Sequence, residues 1–477
     1  MSKKNKFLLL IAAYFLIHLL VRIFISDSVE FDEAEQVLFS QNLSLGYGSQ
    51  PPLYEWLQKV FFTVFGLNIF SLALLKNSLF VLIYFFLYQS AKLIIKQDKY
   101  AVLASLALFL TYTYGWQSMH QLTHAILALA VCSITFFVFL KVIQTQKLKY
   151  YLVLGLTAGL GILAKYNYLI FILALLIAAL TIQEFRKAVF NKRMVLVLII
   201  VLLISSPHFI WFGSHLKLAT QRLVQIQADT NKAKGLLDFL LCLLAILGPF
   251  LLVFLIFFPK AFSRNRSLDA SDTQFKKLLE RFFIAAILIT AIWVVVFKIV
   301  DFEERWLQLI FFTVPLYLFL RLKGKTISGV KLKIYSWLVV IFALALPVMM
   351  VACALAPDTF GYKRLHYPIA ELAKQIRSEG FDQGLVLSCD TSVAADIKLQ
   401  FKDSLVLTHR MPLQPKPRLD KILLIWGDTW WYDVPKELAE ILPHYGIKAS
   451  RTETVKQALY KHSEKEYYKV YLMVVNR

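Results

Sequence analysis

The sequence predicts a polytopic α-helical membrane protein of about eleven spans, followed by a small α/β domain. Three observations predict it. Of 477 residues, 58% are hydrophobic and 17% charged, against about 25% charged in an ordinary globular chain. The apolar residues gather in long runs separated by short basic loops. From residue 356 onward the runs shorten and alternate with amphipathic stretches. Mean hydropathy is +0.61, which excludes a disordered chain and a chain folded in water around one small core. A formal net charge of +21 would suit a nucleic-acid partner. The basic residues, however, sit between apolar runs, which is the pattern of membrane topology, so no nucleic acid is assigned.

The apolar runs lie at 7–26, 69–90, 100–114, 122–140, 151–164, 167–183, 194–212, 237–258, 282–298, 307–320 and 333–355. The first follows a charged start containing Lys3, Lys4 and Lys6. It resembles a signal peptide, but no small-residue cleavage site follows, so it reads as a retained anchor. With the N-terminus inside, segments 1–6, 91–99, 141–149, 184–193, 259–281 and 321–333 carry 24 Lys and Arg. The outer loops 27–68, 115–121, 165–166, 213–236 and 299–306 carry 7. Basic loops stay in the cytoplasm. The N-terminus is therefore expected in the cytoplasm, and the loop 27–68 and the tail 356–477 outside it. Trp116, Trp211 and Trp306 fall at the expected outer interface. Of the four cysteines, Cys132, Cys242 and Cys353 lie in apolar runs and Cys389 in the tail, far apart, so no disulfide framework or zinc ribbon is implied.

Two domains follow: a membrane domain over 1–355 and an extracytoplasmic α/β domain over 356–477. In the latter, 384–387 and 422–425 read as buried strands, and Ile369–Arg377 and Pro435–Leu442 as helices. No glycine-rich phosphate loop is present, so no nucleotide cofactor is assigned.

The chemistry concentrates in residues 31–57. Asp32 and Glu33 directly follow the first span, where carboxylates are costly to desolvate. One of them could act as general base on a hydroxyl or hold a divalent metal. The other reading is that Asp32 caps a helix running from Ala34 to Leu45. The pattern continues through Gly46-Tyr47 and Pro51-Pro52-Leu53-Tyr54-Glu55-Trp56-Leu57 to Phe65-Gly66.

That pattern resembles the first outer loop of glycosyltransferase family 39, membrane enzymes of the GT-C type that use polyprenyl-phosphate sugars. Protein O-mannosyltransferases and lipid A aminoarabinose transferases belong to it. Gly155-Leu-Thr-Ala-Gly159-Leu-Gly161-Ile-Leu-Ala-Lys165-Tyr166 is similar to that family's glycine-rich helix ending in Lys-Tyr. Ser206-Pro207-His208-Phe209-Ile210-Trp211 with His215 is similar to its Pro-x-x-x-Trp segment, and Arg305-Trp306 to its late Trp turn. The resemblance covers about residues 7 to 355. It implies a GT-C fold and transfer of a hexosyl or pentosyl group from a polyprenyl-phosphate donor to a hydroxyl of a lipid, glycan or protein acceptor. It implies Asp32 as the catalytic or metal-linked carboxylate and Glu33 as its supporting neighbour. Asp32 would deprotonate the acceptor as it attacks the anomeric carbon, with inversion. The implied setting is the cell envelope and inner membrane of a bacterium, with lipopolysaccharide among the possible acceptors.

The chain departs from the family pattern at two places. Gln50 stands before Pro-Pro-Leu, where the aminoarabinose transferases have Lys and other members often have His. After the third span, Thr123-His124-Ala125-Ile126-Leu127 lacks the acidic residue of the family's Thr-Asp segment. His120 and His124 are four apart and would share a helix face. With Asp32 they would suit zinc or manganese; the other reading is a hydrogen-bonded interior pair.

A lipid phosphate needs cations at the outer face. Lys165 ends a span and is either a phosphate contact or a snorkelling lysine. Arg222 lies in the amphipathic stretch Leu216–Ile226 and contacts phosphate or water. Arg305 follows Glu303 and Glu304, its expected partners. Tyr47 and Tyr54 line a sugar pocket or are interfacial tyrosines. Outside the membrane no nucleotide sugar is available, which also favours a lipid-linked donor. The rival classes are a transporter or flippase and a polysaccharide ligase or polymerase. The first would show repeated halves, and the second a large late outer loop. A non-catalytic scaffold for the tail leaves the Asp-Glu and Pro-Pro-Leu loop unexplained.

Overall fold

The computed structural model describes residues 2–227, 232–263, 268–411, 421–427, 434–447 and 454–476. The chain forms two compact units. One comprises Met1–Leu16, Ser44–Tyr54 and Lys76–Leu346; the other comprises Ile17–Leu43, Glu55–Leu75 and Pro347–Arg477.

Among the described residues, seven helices are long and apolar enough to cross a membrane: Lys3–Ile25 (α1), Ile69–Ile95, Thr123–Thr145, Met194–Ser214, Lys234–Phe257, Ala270–Val296 and Gly329–Leu355. A pair bent by 43°, Glu304–Phe311 and Val314–Leu322, makes an eighth if it crosses as one. The second half of that pair begins with Pro315 in its first turn, where a missing N–H costs nothing. The sequence predicted about eleven spans, and length accounts for the difference. Leu148–Ala164 has 17 residues and Tyr168–Leu180 has 13. At 1.5 Å per residue these reach only about 20–25 Å, short of a hydrocarbon core of about 30 Å. The run 100–114 is not one helix. It is α-helical over Asp98–Leu106, 3₁₀ over Ala107–Leu110 and π-helical over Thr113–Gln117. Outward faces of the long helices stay apolar: Leu198, Leu202 and Leu203 are exposed, as suits lipid contact.

The glycine-rich stretch packs closely against its neighbours in the first unit. A Cβ on Gly155 would lie 2.9 Å from Cβ of Ile200, and one on Gly159 2.9 Å from Cβ of Ile204. The helices Leu148–Ala164 and Met194–Ser214 thus meet at glycine distance, the small-residue packing favoured in membranes. A Cβ on Gly161 would fall 2.3 Å from the Tyr168 ring.

The second unit is built on a five-stranded sheet. Its strands are β1 (Leu385–Ser388), β2 (Leu405–Thr408), β3 (Lys421–Gly427), β4 (Thr454–Leu459) and β5 (Tyr467–Asn476), in the order β2-β1-β3-β5-β4. Strands β2, β1 and β3 are parallel, and β5 and β4 join antiparallel. The β1 residues are all buried, the continuous apolar pattern of a strand covered on both faces. The expected strand at 384–387 begins one residue later, at Leu385; at Gly384, with φ +155°, a Cβ would meet the Lys421 carbonyl oxygen at 2.2 Å. The helix expected over 435–442 is a short turn, Lys436–Ala439, followed by a 3₁₀ turn, Leu442–Tyr445.

The core of this unit contains more than the tail. Val29, Ala34, Val37, Leu38, Ile69 and Leu72 are buried in one cluster with Leu385, Val386, Leu423, Leu424 and Trp426. The helix Phe31–Phe39 (α2) contributes Ala34, Val37 and Leu38 to it. Residues directly after α1 and residues over 300 positions later therefore share one hydrophobic core.

Gly159→Val should lower the melting temperature of the detergent-solubilised protein, at a cost of about 1–3 kcal/mol, because Ile204 cannot withdraw without moving its helix. Gly213→Ala, with nothing within 4 Å of its added Cβ, should leave it unchanged. Equal melting of both variants would contradict this packing.

Candidate active site

The local fold of the first loop begins with a buried charge. Arg22 lies in the last turn of α1 and is 6% exposed. Its Nε and Nη2 donate to Oε1 and Oε2 of Glu33 at 3.1 and 2.6 Å. Nη1 also donates to the Ser26 carbonyl at 3.0 Å, and Nη2 to the Ser28 carbonyl at 2.8 Å. The guanidinium thus closes the turn between α1 and α2 and satisfies its carbonyls. Glu33, 4% exposed, also accepts the Glu30 backbone N–H at 3.0 Å. This is one arm of a capping box, with Glu30 at the N-cap.

Asp32 does not cap a helix beginning at Ala34. It lies in the first turn of a helix that starts at Phe31 and ends at Phe39, not Leu45. The cap position belongs to Glu30 because Glu33 and Arg22 fix the backbone there. Adjacent residues on a helix point about 100° apart. Glu33 turns inward with Gln36 and Val37, while Phe31, Asp32 and Glu35 lie on the half-exposed side. The two neighbouring carboxylates are thereby separated in role: Glu33 is consumed by Arg22, and Asp32 reaches the partly open face.

The tail grips this loop at both ends. Oδ2 of Asp396, on the helix Thr391–Gln400, accepts the Ser28 hydroxyl at 2.5 Å, and Oδ1 accepts the Val29 N–H at 2.9 Å. Beyond α2, the Gln41 amide donates to the Val406 carbonyl at 2.7 Å and accepts the Val406 N–H at 3.1 Å, extending the β2 edge. Ser26 donates to the Leu365 carbonyl at 2.6 Å. Burial pushes the Asp396 carboxyl well above its ordinary value of 3.8.

In the other unit, the motif segments converge on His208. Its Nδ1 lies 2.6 Å from the Leu45 carbonyl, which can only accept, so Nδ1 carries the proton. Its Nε2 is then the acceptor for the Tyr166 hydroxyl at 3.0 Å. A Cβ on Gly46 would overlap the Trp211 ring at 2.2 Å. The Lys-Tyr, Pro-x-x-x-Trp and Gly-Tyr segments thus lock together through Tyr166, His208, Trp211 and Gly46. His215 stacks on Trp211, with ring centroids 4.8 Å apart.

The remaining expected site residues take separate positions. Tyr47 and Gln50 pair backbone to backbone across a tight turn, and the Tyr47 hydroxyl accepts the Ser44 N–H at 2.8 Å. Tyr54 is buried beside the His124 ring, with centroids 5.5 Å apart. Lys165 is half-buried and ends its helix in extended conformation. Arg305 pairs with Glu303. Arg222 lies in the helix Gln221–Ile226, and its side chain lies outside the described residues. His120 and His124 do not share a helix face. His120 ends a short turn, Ser118–His120, and Leu122 adopts a left-handed conformation with φ +71° before a new helix starts at Thr123. That break rotates the two imidazoles out of the i, i+4 relation. Among the described residues, no three His, Cys, Asp or Glu side chains form a group that could hold a metal.

The dolichyl-phosphate-mannose-protein mannosyltransferase family matches residues 49–211. The lipopolysaccharide core galacturonosyltransferase RgtB of Rhizobium johnstonii is 30% identical over 448 residues, covering 91% of this chain and 88% of that protein. The chain belongs to the GT-C membrane glycosyltransferases, of the family 39-like kind. The core galacturonosyltransferase RgtA of the same organism is 29% identical over 441 residues, covering 88% of this transferase and 86% of its own length. The crystal structure of ArnT from Cupriavidus metallidurans bound to undecaprenyl phosphate superposes with a TM-score of 0.62. It covers 98% of both chains at 12% identity, a likeness of fold. The transferase is a multi-pass membrane protein with an ArnT-like fold.

Sequence reasoning missed four groups that organise these sites. Arg22 and Lys76 were visible as lone charges at or within apolar runs. Lys76 is buried and donates to the Met119 carbonyl at 3.0 Å. The His208 bonds were hidden within a motif recognised only as a string. Asp396 carried no signal, because its partner Ser28 is 368 residues away.

Two outcomes follow from this geometry. Glu33→Ala strands a buried guanidinium and should cost about 3–5 kcal/mol in denaturant unfolding, whereas the pair Arg22→Met/Glu33→Leu should cost much less. Single and double variants of equal stability would contradict the buried pair. Asp396, with its folded value raised, contributes stability that is full below its unfolded value of about 4 and lost as pH rises from there through the raised folded value. Asp396→Asn should therefore flatten the fall in melting temperature above about pH 4. An unchanged slope would show that Asp396 does not titrate with folding.

Proposed function

We propose that the transferase moves a galacturonosyl group from a polyprenyl-phosphate donor to a hydroxyl of lipopolysaccharide at the outer face of the bacterial inner membrane. The observation that carries this reading is its near full-length likeness to two enzymes named as lipopolysaccharide core galacturonosyltransferases. The donor class is supported by the first-loop resemblance and by an ArnT of the same fold having been crystallised with undecaprenyl phosphate. An N-terminus in the cytoplasm, as the loop charges favour, leaves the first loop and the tail on the outer side.

In this reading Asp32 takes the proton of the acceptor hydroxyl. The oxygen forms a bond to the anomeric carbon as the bond from that carbon to the phosphate oxygen breaks. The electron pair of the broken bond leaves with polyprenyl phosphate, and the anomeric centre inverts. Glu33 is a positioning residue that acts through Arg22. Lys165 stabilises the departing phosphate, with Arg222 as a second cation. Arg305 serves less directly, because Glu303 already offsets its charge. Tyr47, Gln50 and Tyr54 shape the loop around the sugar.

In proteoliposomes supplied with polyprenyl-phosphate galacturonate and a lipopolysaccharide core acceptor, the wild-type chain should add one galacturonosyl mass. Asp32→Asn should lower turnover about a thousandfold with unchanged melting temperature. Full activity in that variant would remove Asp32 from the chemistry. Absence of galacturonosyl transfer by the wild type, with another sugar accepted, would overturn the assigned donor.

A further inference from the structure

Phe31, the neighbour of Asp32 on α2, carries two guanidinium groups over its ring. Cζ of Arg364 and Cζ of Arg410 each lie 5.3 Å from the ring centroid. Arg364 comes from the 3₁₀ turn Arg364–His366, and Arg410 follows β2. All three residues belong to the same compact unit. Glu35 is 3.9 Å from Arg410, the outer limit of an ion pair, and half of the Arg410 side chain is exposed. Arg364 forms no ion pair among the described residues. Asp390 feels both arginines, but its Oδ1 is occupied by the Ser392 and Val393 N–H groups at 2.9 and 3.2 Å. Burial raises its carboxyl above the ordinary value. Two like charges share one ring, and a further anion would relieve their repulsion.

The transferred sugar supplies such an anion. In a hexuronosyl group the carboxylate is attached to the ring carbon that shares the ring oxygen with the anomeric carbon. A site that brings the anomeric carbon to Asp32 brings the sugar carboxylate close as well, and the two anions repel unless cations stand between them. A guanidinium meets a carboxylate through paired N–H donors and holds its charge at any working pH. We propose that Arg364 and Arg410, set on the Phe31 ring, bind the carboxylate of the donor's hexuronosyl group and select an acidic over a neutral sugar. This rests on the galacturonosyl reading and on Asp32 as the base. It gives the tail domain a part in donor choice.

The test compares two donors, polyprenyl-phosphate galacturonate and polyprenyl-phosphate galactose, which differ only in carboxylate against hydroxymethyl. The full chain is assayed in proteoliposomes as wild type, Arg364→Gln/Arg410→Gln, and Arg364→Lys/Arg410→Lys, with melting temperatures measured in parallel. The Gln pair should lower kcat/KM for the galacturonate donor about 100-fold and change that for the galactose donor less than about threefold. The Lys pair should retain part of the preference. Binding of polyprenyl phosphate without a sugar, and KM for the acceptor, should be unchanged. An equal fall for both donors would overturn the proposal. So would lost binding of bare polyprenyl phosphate, which would make the phosphate the anion read, or a raised acceptor KM, which would make it the acceptor. If the Gln pair loses folding, an unaltered preference in a folded Lys pair and in each single Gln variant overturns it equally. A wild type that transfers galacturonate while the Gln pair keeps the full preference refutes this inference alone. A wild type that transfers no galacturonate refutes the assigned function and this inference with it.

Discussion

The bidentate pair between Arg22 and Glu33 holds the turn on which the rest of the first loop depends. Removing two ions from water is expensive, and a buried pair survives only when its remaining donors and acceptors are used. Here they are: the guanidinium also serves the Ser26 and Ser28 carbonyls, and the carboxylate also takes the Glu30 N–H. Those bonds fix where α2 begins and how it is rotated. One residue of rotation decides that Glu33 faces the protein and Asp32 the half-exposed side.

That turn is also where distant parts of the chain become one folded body. The face of α2 that carries Ala34, Val37 and Leu38 has no apolar partner nearby in sequence, and it completes the core under the α/β sheet. Asp396 then reaches the backbone just before α2, and Gln41 pairs with the β2 edge just after it. The tail is therefore not an appendage to the membrane helices. It forms part of the support of Asp32, the carboxylate proposed as the base, and through Arg364 and Arg410 it places two guanidinium groups over the ring of its neighbour, Phe31.

What the sequence disclosed followed the range of each interaction. Hydropathy located the helices because each run satisfies its own backbone, and Leu385–Ser388 and Lys421–Gly427 were legible because buried parallel strands are continuously apolar. The number of spanning helices was less legible. Run length did not reveal that the chain changes from α to 3₁₀ to π between Asp98 and Gln117, or that Leu122 breaks the helix between the two histidines. Asp32 stood out through its motif. The distinction between Asp32 and Glu33 did not, since it depends on Arg22 eleven residues away. Glycines 155, 159 and 161 were visible as a pattern, but their partners Ile200, Ile204 and Tyr168 came only from the packing.

Hydrogen exchange tests most directly whether the helix of Asp32 folds as part of the tail unit. Segments of one cooperative unit open together with a shared free energy. In the detergent-solubilised chain, the amides of α2 and those of β1 and β3 should fall in one slow class and lose protection together as denaturant is added. Exchange of α2 orders of magnitude faster than the strands, with its own denaturant dependence, would contradict the shared core and detach the loop of Asp32 from the tail unit.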